Sequence, residues 1–370
     1  MFEIIQQTEK RRIGKLKTKN GELDTPFFMP DATRGFVKFL SKDDLELAGV
    51  VPMVVNTYHL YLQPGMETIR KAEGIHKFMN WGKPLLSDSG GYQVFSLIHK
   101  NSKMGKVTED EVIFKSPLDG SRHVITPEKA IQIQFDLGVD MMVCLDDPPP
   151  NTYPKAKIKK AVERTLRWAK RCKVEYEKQI KERGIKEEDR PLLFGVIQGG
   201  EHLDLRKMCV DGLVEIGFDG YGFGARHVDS EGKFLGEVLE YTAGLIPENS
   251  LRFALGIGMP NDIVRSFDYG WDMFDCVIPT REGRHGKLFI WKNDDLRGLD
   301  FYETININNE KFKEDFSPVD PHCDCELCRN YSRAYLRHLF VSKDPFGMRL
   351  ASIHNLKFYI DLMQKLRDNG

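Results

Sequence analysis

The sequence predicts an α/β protein built on a (β/α)8 barrel, and three observations carry that expectation. Eight short apolar runs recur over the first three-quarters of the chain, each bounded by turn residues. Helical-looking stretches separate most of them. Each run ends on a polar residue or a glycine, as barrel strands do where their C-terminal ends face a binding mouth.

In order, the runs are 26–29, 51–55 before Asn56, 84–87 before Asp88, 141–145 before Asp146, 192–197 before Gln198, 218–223 before Gly224, 252–257 before Gly258, and 273–275 continuing to 278. The intervening helical stretches include 128–137, 156–183 and 262–269, the second highly charged, as the solvated face of a long outer helix is. Ahead of the barrel, 3–7 and 12–18, then Asn20-Gly21 and Leu23, read as an antiparallel meander capping one barrel end, because Asn-Gly favours a tight hairpin. A second hairpin, 111–115 and 122–125 around Leu118-Asp119-Gly120, is inserted after the third strand. From about Leu299 the alternation stops. Helices are expected at 331–341 and from Asp344-Pro345, where aspartate caps and proline fits the first turn. The expected division is a meander over 1–24, a barrel over 25–298 with the insertion near 107–125, and a helical subdomain over 299–370.

The 370 residues are 41% hydrophobic and 29% charged, enough for a large core. The net charge of -1 means that a nucleic-acid partner would have to meet positive charge concentrated on one face. The N-terminus MFEIIQQTEKRRIGK has no apolar signal core, and no run approaches the roughly 18 apolar residues of a membrane span. A cytoplasmic protein without a membrane partner is expected. Cys144, Cys172, Cys209 and Cys276 lack regular spacing and read as buried free thiols.

Cys323, Cys325 and Cys328 stand in the spacing C-x-C-x-x-C within a polar segment, and His354 follows on an expected helix. Three thiolates and an imidazole fill a tetrahedral shell, so one structural Zn2+ is expected and the chemistry must lie elsewhere. Asp88, Asp146 and Asp275 each end or interrupt an apolar run, where an ionised carboxylate is costly unless it is used. Taken singly, each can also be a helix or turn cap. Three at one mouth suggest glycosyl chemistry, with one carboxylate attacking an anomeric carbon and another moving a proton. Asp146 can accept from the N1–H and amine of guanine while Gln198 donates to O6. Gly90 and Gly91 allow close backbone approach, and Tyr92 can stack on a base. Segment 279–287 adds three fixed positive charges on a glycine-broken loop beside Asp275, suited to phosphates or guanine edges.

Asp88-Ser89-Gly90-Gly91-Tyr92-Gln93, Gly217-Phe218-Asp219-Gly220-Tyr221, Met273-Phe274-Asp275-Cys276-Val277-Ile278-Pro279-Thr280-Arg281 and the Cys3His set together resemble the tRNA-guanine transglycosylases, most closely the bacterial type. Asn56-Thr57-Tyr58-His59-Leu60 and the segment from Phe114 to Arg122 add to the likeness, which runs from about Thr25 to Leu366. The resemblance implies exchange of guanine at the wobble position of tRNAs with GUN anticodons (Asp, Asn, His, Tyr) for a 7-deazaguanine. It makes Asp275 the nucleophile on ribose C1′ and Asp88 the general acid/base. Asp146, Gln198 and the Gly224 backbone would grip the base, flanked by Ser89, Gly90, Gly91 and Ala225, with Tyr92 on one face and Leu255 on the other. Gly256, Met259, Pro260, Asp262, Thr280, Arg281, Gly283 and Arg284 would contact RNA, and a homodimer is implied.

The chain departs from the family at Asp147-Pro148-Pro149-Pro150 and at Gly224-Ala225-Arg226, around the 7-substituent, and it ends at Asn369-Gly370, earlier than the family norm. The implied substituent is 7-aminomethyl, with queuine the alternative, and Arg226 is expected to turn to solvent or pair with Asp147 or Asp229. Two other readings compete. A non-catalytic tRNA-binding accessory subunit would keep zinc but lose the acids, and a metal-dependent hydrolase would place histidines at strand ends, where none of the eight runs has one.

Overall fold

A computed structural model describes residues 2–369, with the side chains of residues 99, 100 and 102 set aside; Met1 and Gly370, the outermost residues of the expected first and last segments, lie outside it. Strands β1 (Phe2–Thr8), β2 (Arg11–Thr18) and β3 (Gly21–Thr25) form the antiparallel meander, with Lys19-Asn20 as the turn between β2 and β3 and Gly21 the first residue after it. Strands β4 (Phe27–Pro30), β5 (Met53–Asn56) and β6 (Leu85–Asp88) begin the barrel. Strands β7 (Gly105–Val107), β8 (Val112–Lys115) and β9 (Arg122–Ile125) are the insertion, one strand more than the expected hairpin. Strands β10 (Met141–Val143), β11 (Leu192–Ile197), β12 (Gly220–Phe223), β13 (Leu251–Ala254) and β14 (Met273–Cys276) complete an eight-stranded parallel sheet in the order β4-β14-β13-β12-β11-β10-β6-β5. A parallel bridge between Asp31 and Val54 joins β4 to β5 and closes the barrel.

The barrel interior is a packed core. Met29, Val54, Leu86, Val143, Val196, Phe253 and Met273 fill it, and Leu16 and Leu23 of the meander plug the end where the strands begin. Two buried aspartates hold that plug. Asp272 receives Arg12 Nε at 2.8 Å, and Asp140 accepts from the Asn20 N–H at 2.9 Å and the Leu85 N–H at 2.9 Å. Burying Arg12 is tolerable because its remaining N–H groups reach Glu248 O at 2.6 Å and Ser250 O at 2.5 Å. With the far end sealed, the barrel interior opens at the C-terminal strand ends.

The long helix Lys155–Arg183 buries Ile158, Val162, Trp168 and Cys172 along one face and exposes its charges on the other. It also anchors the insertion, as the Trp168 Nε1–H donates to Glu109 O at 2.6 Å and Arg164 reaches Glu109 at 2.8 Å. After the barrel, β15 (Lys287–Trp291) and β16 (Tyr302–Asn306) form a hairpin that straddles residue 298. The helices Glu326–Asn330, Arg333–Val341 and Pro345–Asp368 follow. Asp344 caps the last of these by accepting from the Phe346 N–H at 2.8 Å. Among the described residues, no helix is long and apolar enough to cross a membrane.

Candidate active site

The open end of the barrel holds a cavity of about 510 Å³. Its floor is the top layer of the barrel core, Val54, Leu86, Val143, Val196 and Phe253, and its walls carry Asp31, Asp88, Asp146, Gln198 and Asp275. Each acid is delivered by backbone geometry. Asp88 ends β6, and its register partner in β5 is Asn56. The Asn56 Oδ1 accepts the His59 N–H at 3.2 Å and caps the helix Thr57–Leu60, so its Nδ2 faces Asp88 Oδ2, at 2.9 Å. Asp275 lies within β14 beside Met29 of β4, and its Oδ1 accepts the Gly256 N–H at 2.8 Å. Asp146 is three residues beyond β10 and accepts from Gln198 Nε2 at 2.6 Å.

Burial drives all three carboxyls upward, Asp88 to about 6, Asp146 to about 7 and Asp275 to about 7. Their mutual repulsion adds to this, with Asp31 raising Asp88 and Asp275, and Asp88 raising Asp146 and Asp275. Hydrogen bonds from Gly90 to Asp88, Gln198 to Asp146 and Gly256 to Asp275 pull the other way. The site therefore stores negative charge that neutral pH only partly ionises.

Asp31 is a fourth carboxylate on this wall that the apolar runs did not single out. It follows Pro30 at the end of the first strand, the same position that marked the other acids, and it accepts from the Thr33 N–H at 2.8 Å.

Two glycines make room for the polar pair. A Cβ on Gly224 would sit 2.3 Å from Gln198 Nε2, and one on Gly91 would sit 3.1 Å from Asp146 Oδ1. Gly90 precedes the helix Gly91–Lys100, and buried Ser89 accepts the Gly91 N–H at 3.3 Å. Tyr92, more than half exposed, and Leu255 both reach the cavity. The Gly224 N–H donates to Ile197 O at 2.9 Å, and its carbonyl accepts from Arg206 Nη2 at 3.0 Å, which leaves the second lone pair of that oxygen as what the Gly224 backbone can offer a base. The adjacent Ala225, which lines the cavity at φ 71°, has an N–H with no protein acceptor among the described residues.

Arg226 is exposed at the rim, as expected for a cation with no buried partner, while Asp147 pairs instead with Arg164. His227 lines the cavity with its pKa drawn down to about 4 by burial and by Arg226, so it is neutral. Of the positions expected to meet RNA, Gly256 and Arg281 line the cavity and Met259 is exposed. Asp262 and Arg284 are half-buried. Pro260, Thr280 and Gly283 are interior. Pro260 begins the helix Pro260–Asp268, Thr280 donates back to Val277 O, and Gly283 lies against Ala351 of the C-terminal helix.

The Cys323, Cys325, Cys328 and His354 donor atoms all lie within 4.8 Å of one another. His354 Nε2 meets Phe289 O at 2.8 Å, so it carries the proton and leaves Nδ1 facing the sulfurs, 3.3 Å from Cys328 and 3.6 Å from Cys325. A neutral imidazole held by its second nitrogen, beside three thiols, fits one closed structural zinc site. The site is tied to the cavity through the helix Pro345–Asp368. Its Asn355 Nδ2 donates to Pro279 O at 2.9 Å, in the helix Ile278–Arg284 that follows β14, and its Tyr359 hydroxyl donates to Gly258 O at 2.5 Å, on the loop after β13.

Fold and site together define a (β/α)8 barrel with an acidic cavity at its mouth and a Cys3His zinc-type site behind it. A family model described as queuine tRNA-ribosyltransferase matches residues 7–369, and the chain belongs to that family. It is 46% identical over 358 residues to a queuine tRNA-ribosyltransferase of Halothermothrix orenii, covering 97% of this chain and 90% of the relative. A protein of the same name from Caldanaerobacter subterraneus subsp. tengcongensis is 43% identical over 369 residues (99% and 92%), and one from Psychrobacter sp. is 44% identical over 361 residues (97% and 89%).

Proposed function

We propose that the acidic mouth performs base exchange by double displacement on tRNA. The chain is a tRNA-guanine transglycosylase of queuosine biosynthesis, a pentosyltransferase acting on tRNA and a free base. Asp275 Oδ attacks ribose C1′ as the C1′–N9 bond breaks, and the electron pair leaves with guanine, which takes a proton from Asp88. The incoming 7-deazaguanine then gives its N9 proton to Asp88 and attacks C1′, releasing Asp275. The observation that supports base exchange is the placement of the Asp146–Gln198 pair, suited to a guanine edge, in one cavity with Asp88 and Asp275, while the division of roles between those two acids follows the family resemblance.

The 7-aminomethyl base is the proposed substrate. Neutral His227 and outward-turned Arg226 put no cationic side chain of their own against an aminomethyl group in the cavity. Arg226 and Arg281 at the rim suit the phosphates of GUN-anticodon tRNAs for Asp, Asn, His and Tyr. A homodimer is also proposed, for which exposed Phe36, Phe39 and Phe78 are candidate contact residues. The three-part division at 24/25 and 298/299 and a cytoplasmic location belong to the same proposal.

The test is displacement of labelled guanine from tRNA by the aminomethyl base, the cyano base and queuine, with trapping of the covalent RNA adduct. Fastest displacement by the aminomethyl base and loss of adduct in Asp275→Asn are expected. Normal turnover by Asp275→Asn would overturn the assignment.

A further inference from the structure

Arg206, in the helix Leu203–Ile216, is fully buried, and among the described residues no carboxylate forms an ion pair with it. Burial draws its guanidinium down to about 9, above neutrality, so it remains a cation. A buried, unpaired charge is costly to keep, and among the described residues the acceptors of this one are backbone carbonyls. Its Nη1 donates to Ile197 O at 2.7 Å, its Nε to Gly200 O at 2.9 Å and its Nη2 to Gly224 O at 3.0 Å, while the guanidinium lies 4.0 Å over the Phe223 ring.

These acceptors bracket the base pocket. Ile197 immediately precedes Gln198, and Phe223 and Gly224 precede Ala225. Each carbonyl also belongs to a peptide whose N–H is on the next residue. A cation on Gly224 O polarises the Gly224–Ala225 amide and strengthens the Ala225 N–H, the cavity-wall donor without a protein acceptor. The same contact on Ile197 O fixes the peptide that carries Gln198.

We infer that Arg206 is a positioning residue for the exchange reaction: it locks the ends of β11 and β12 and relays its charge through the Gly224–Ala225 peptide to the negative charge developing on the departing base. This rests on the base-exchange reading of the cavity. Preorganised positive potential where charge develops lowers the barrier, whereas binding of the tRNA body is untouched.

The experiment measures exchange kinetics for Arg206→Lys and Arg206→Met, with zinc content and thermal unfolding as folding controls. Arg206→Met is expected to lose roughly tenfold to a hundredfold in kcat at unchanged KM for tRNA. Arg206→Lys keeps the charge but not the three-way grip and should recover part of that loss. If Arg206→Met does not fold, Arg206→Lys alone decides. Wild-type kcat in a folded Arg206→Lys or Arg206→Met protein overturns the inference, as does a loss confined to KM for tRNA. Asp275→Asn run in parallel separates the two failures. If it exchanges bases normally the site reading falls, whereas if it is inactive and the folded Arg206 variants match wild type, only the role of Arg206 falls.

Discussion

Gln198 Nε2 donates to Asp146 Oδ2 at 2.6 Å, and this leaves Gln198 Oε1 buried with no partner. Gln198 thus gives to Asp146 the donor that a purine O6 would use, and a guanine edge arriving at Asp146 would release that amide. Gln198→Ala removes both the donor and the partner that holds Asp146 down. Base KM should rise about tenfold or more, since an unpaired buried polar group costs about 1–3 kcal/mol. An unchanged base KM would show that Gln198 does not meet the base.

Gly224→Ala should damage the same pocket by a different route. Its new Cβ would be 2.3 Å from Gln198 Nε2, inside any permitted contact. Either the amide or the end of β12 must move, at about 1–3 kcal/mol. The expected result is a fall in thermal stability together with loss of base exchange, while zinc content is retained. A crystal structure of the variant with the Gln198–Asp146 hydrogen bond intact would contradict this.

Exchange should depend on pH through the acid cluster. Asp275 attacks as a carboxylate, and burial holds its pKa at about 7 and that of Asp88 at about 6. Adduct formation needs Asp275 ionised and Asp88 still protonated, so its single-turnover profile should be bell-shaped, with apparent values belonging to the coupled set, a fall at higher pH and a rising limb between about pH 5 and pH 7. Asp31 raises both groups, so Asp31→Asn should move this limb to lower pH. A limb that stays in place would remove Asp31 from the electrostatics of the site.

Stability should run opposite to activity. Asp275 titrates near 3.8 when unfolded and near 7 when folded, so between those values the folded state binds more protons and stability falls as pH rises. Asp275→Asn removes that penalty. Its advantage over wild type in urea unfolding should be small at pH 4 and reach about 3–4 kcal/mol at pH 7.5. A difference independent of pH would indicate that the carboxyl titrates normally.

Removing zinc should loosen the mouth from behind. Without the metal, three thiols and His354 lose their common centre, and the helix that holds Pro279 O and Gly258 O loses its anchor. Chelation is expected to lower the melting temperature by several degrees, in keeping with the loss of a few kcal/mol, and to lower activity in parallel. Proteolysis of the metal-free protein should cut first within 320–345. Full activity with zinc absent by atomic absorption would separate the metal from the site.

The sequence by itself determined the barrel, the zinc ligands and three of the acids, because each leaves a local trace. Apolar runs of strand length recur with helices between them, thiols stand at ligand spacing, and carboxylates stop apolar strands where burial would otherwise forbid them. Only the tertiary structure decided who touches whom. Asp31 and Asn56 end runs as plainly as Asp88 does, yet their joint action on Asp88 depends on the order in which β4, β5 and β6 close the ring. Arg206 lies in an ordinary amphipathic helix, and nothing in its neighbours along the chain signals a cation buried on three carbonyls from two strand ends. Thr280 and Gly283 looked like loop residues facing RNA until the zinc-tied helix was seen to cover them. The physical reason is the same in each case: periodicity and turn chemistry are written in neighbouring residues, whereas burial, pKa and hydrogen-bond partners are set by residues tens to hundreds of positions away that only the closed barrel brings together.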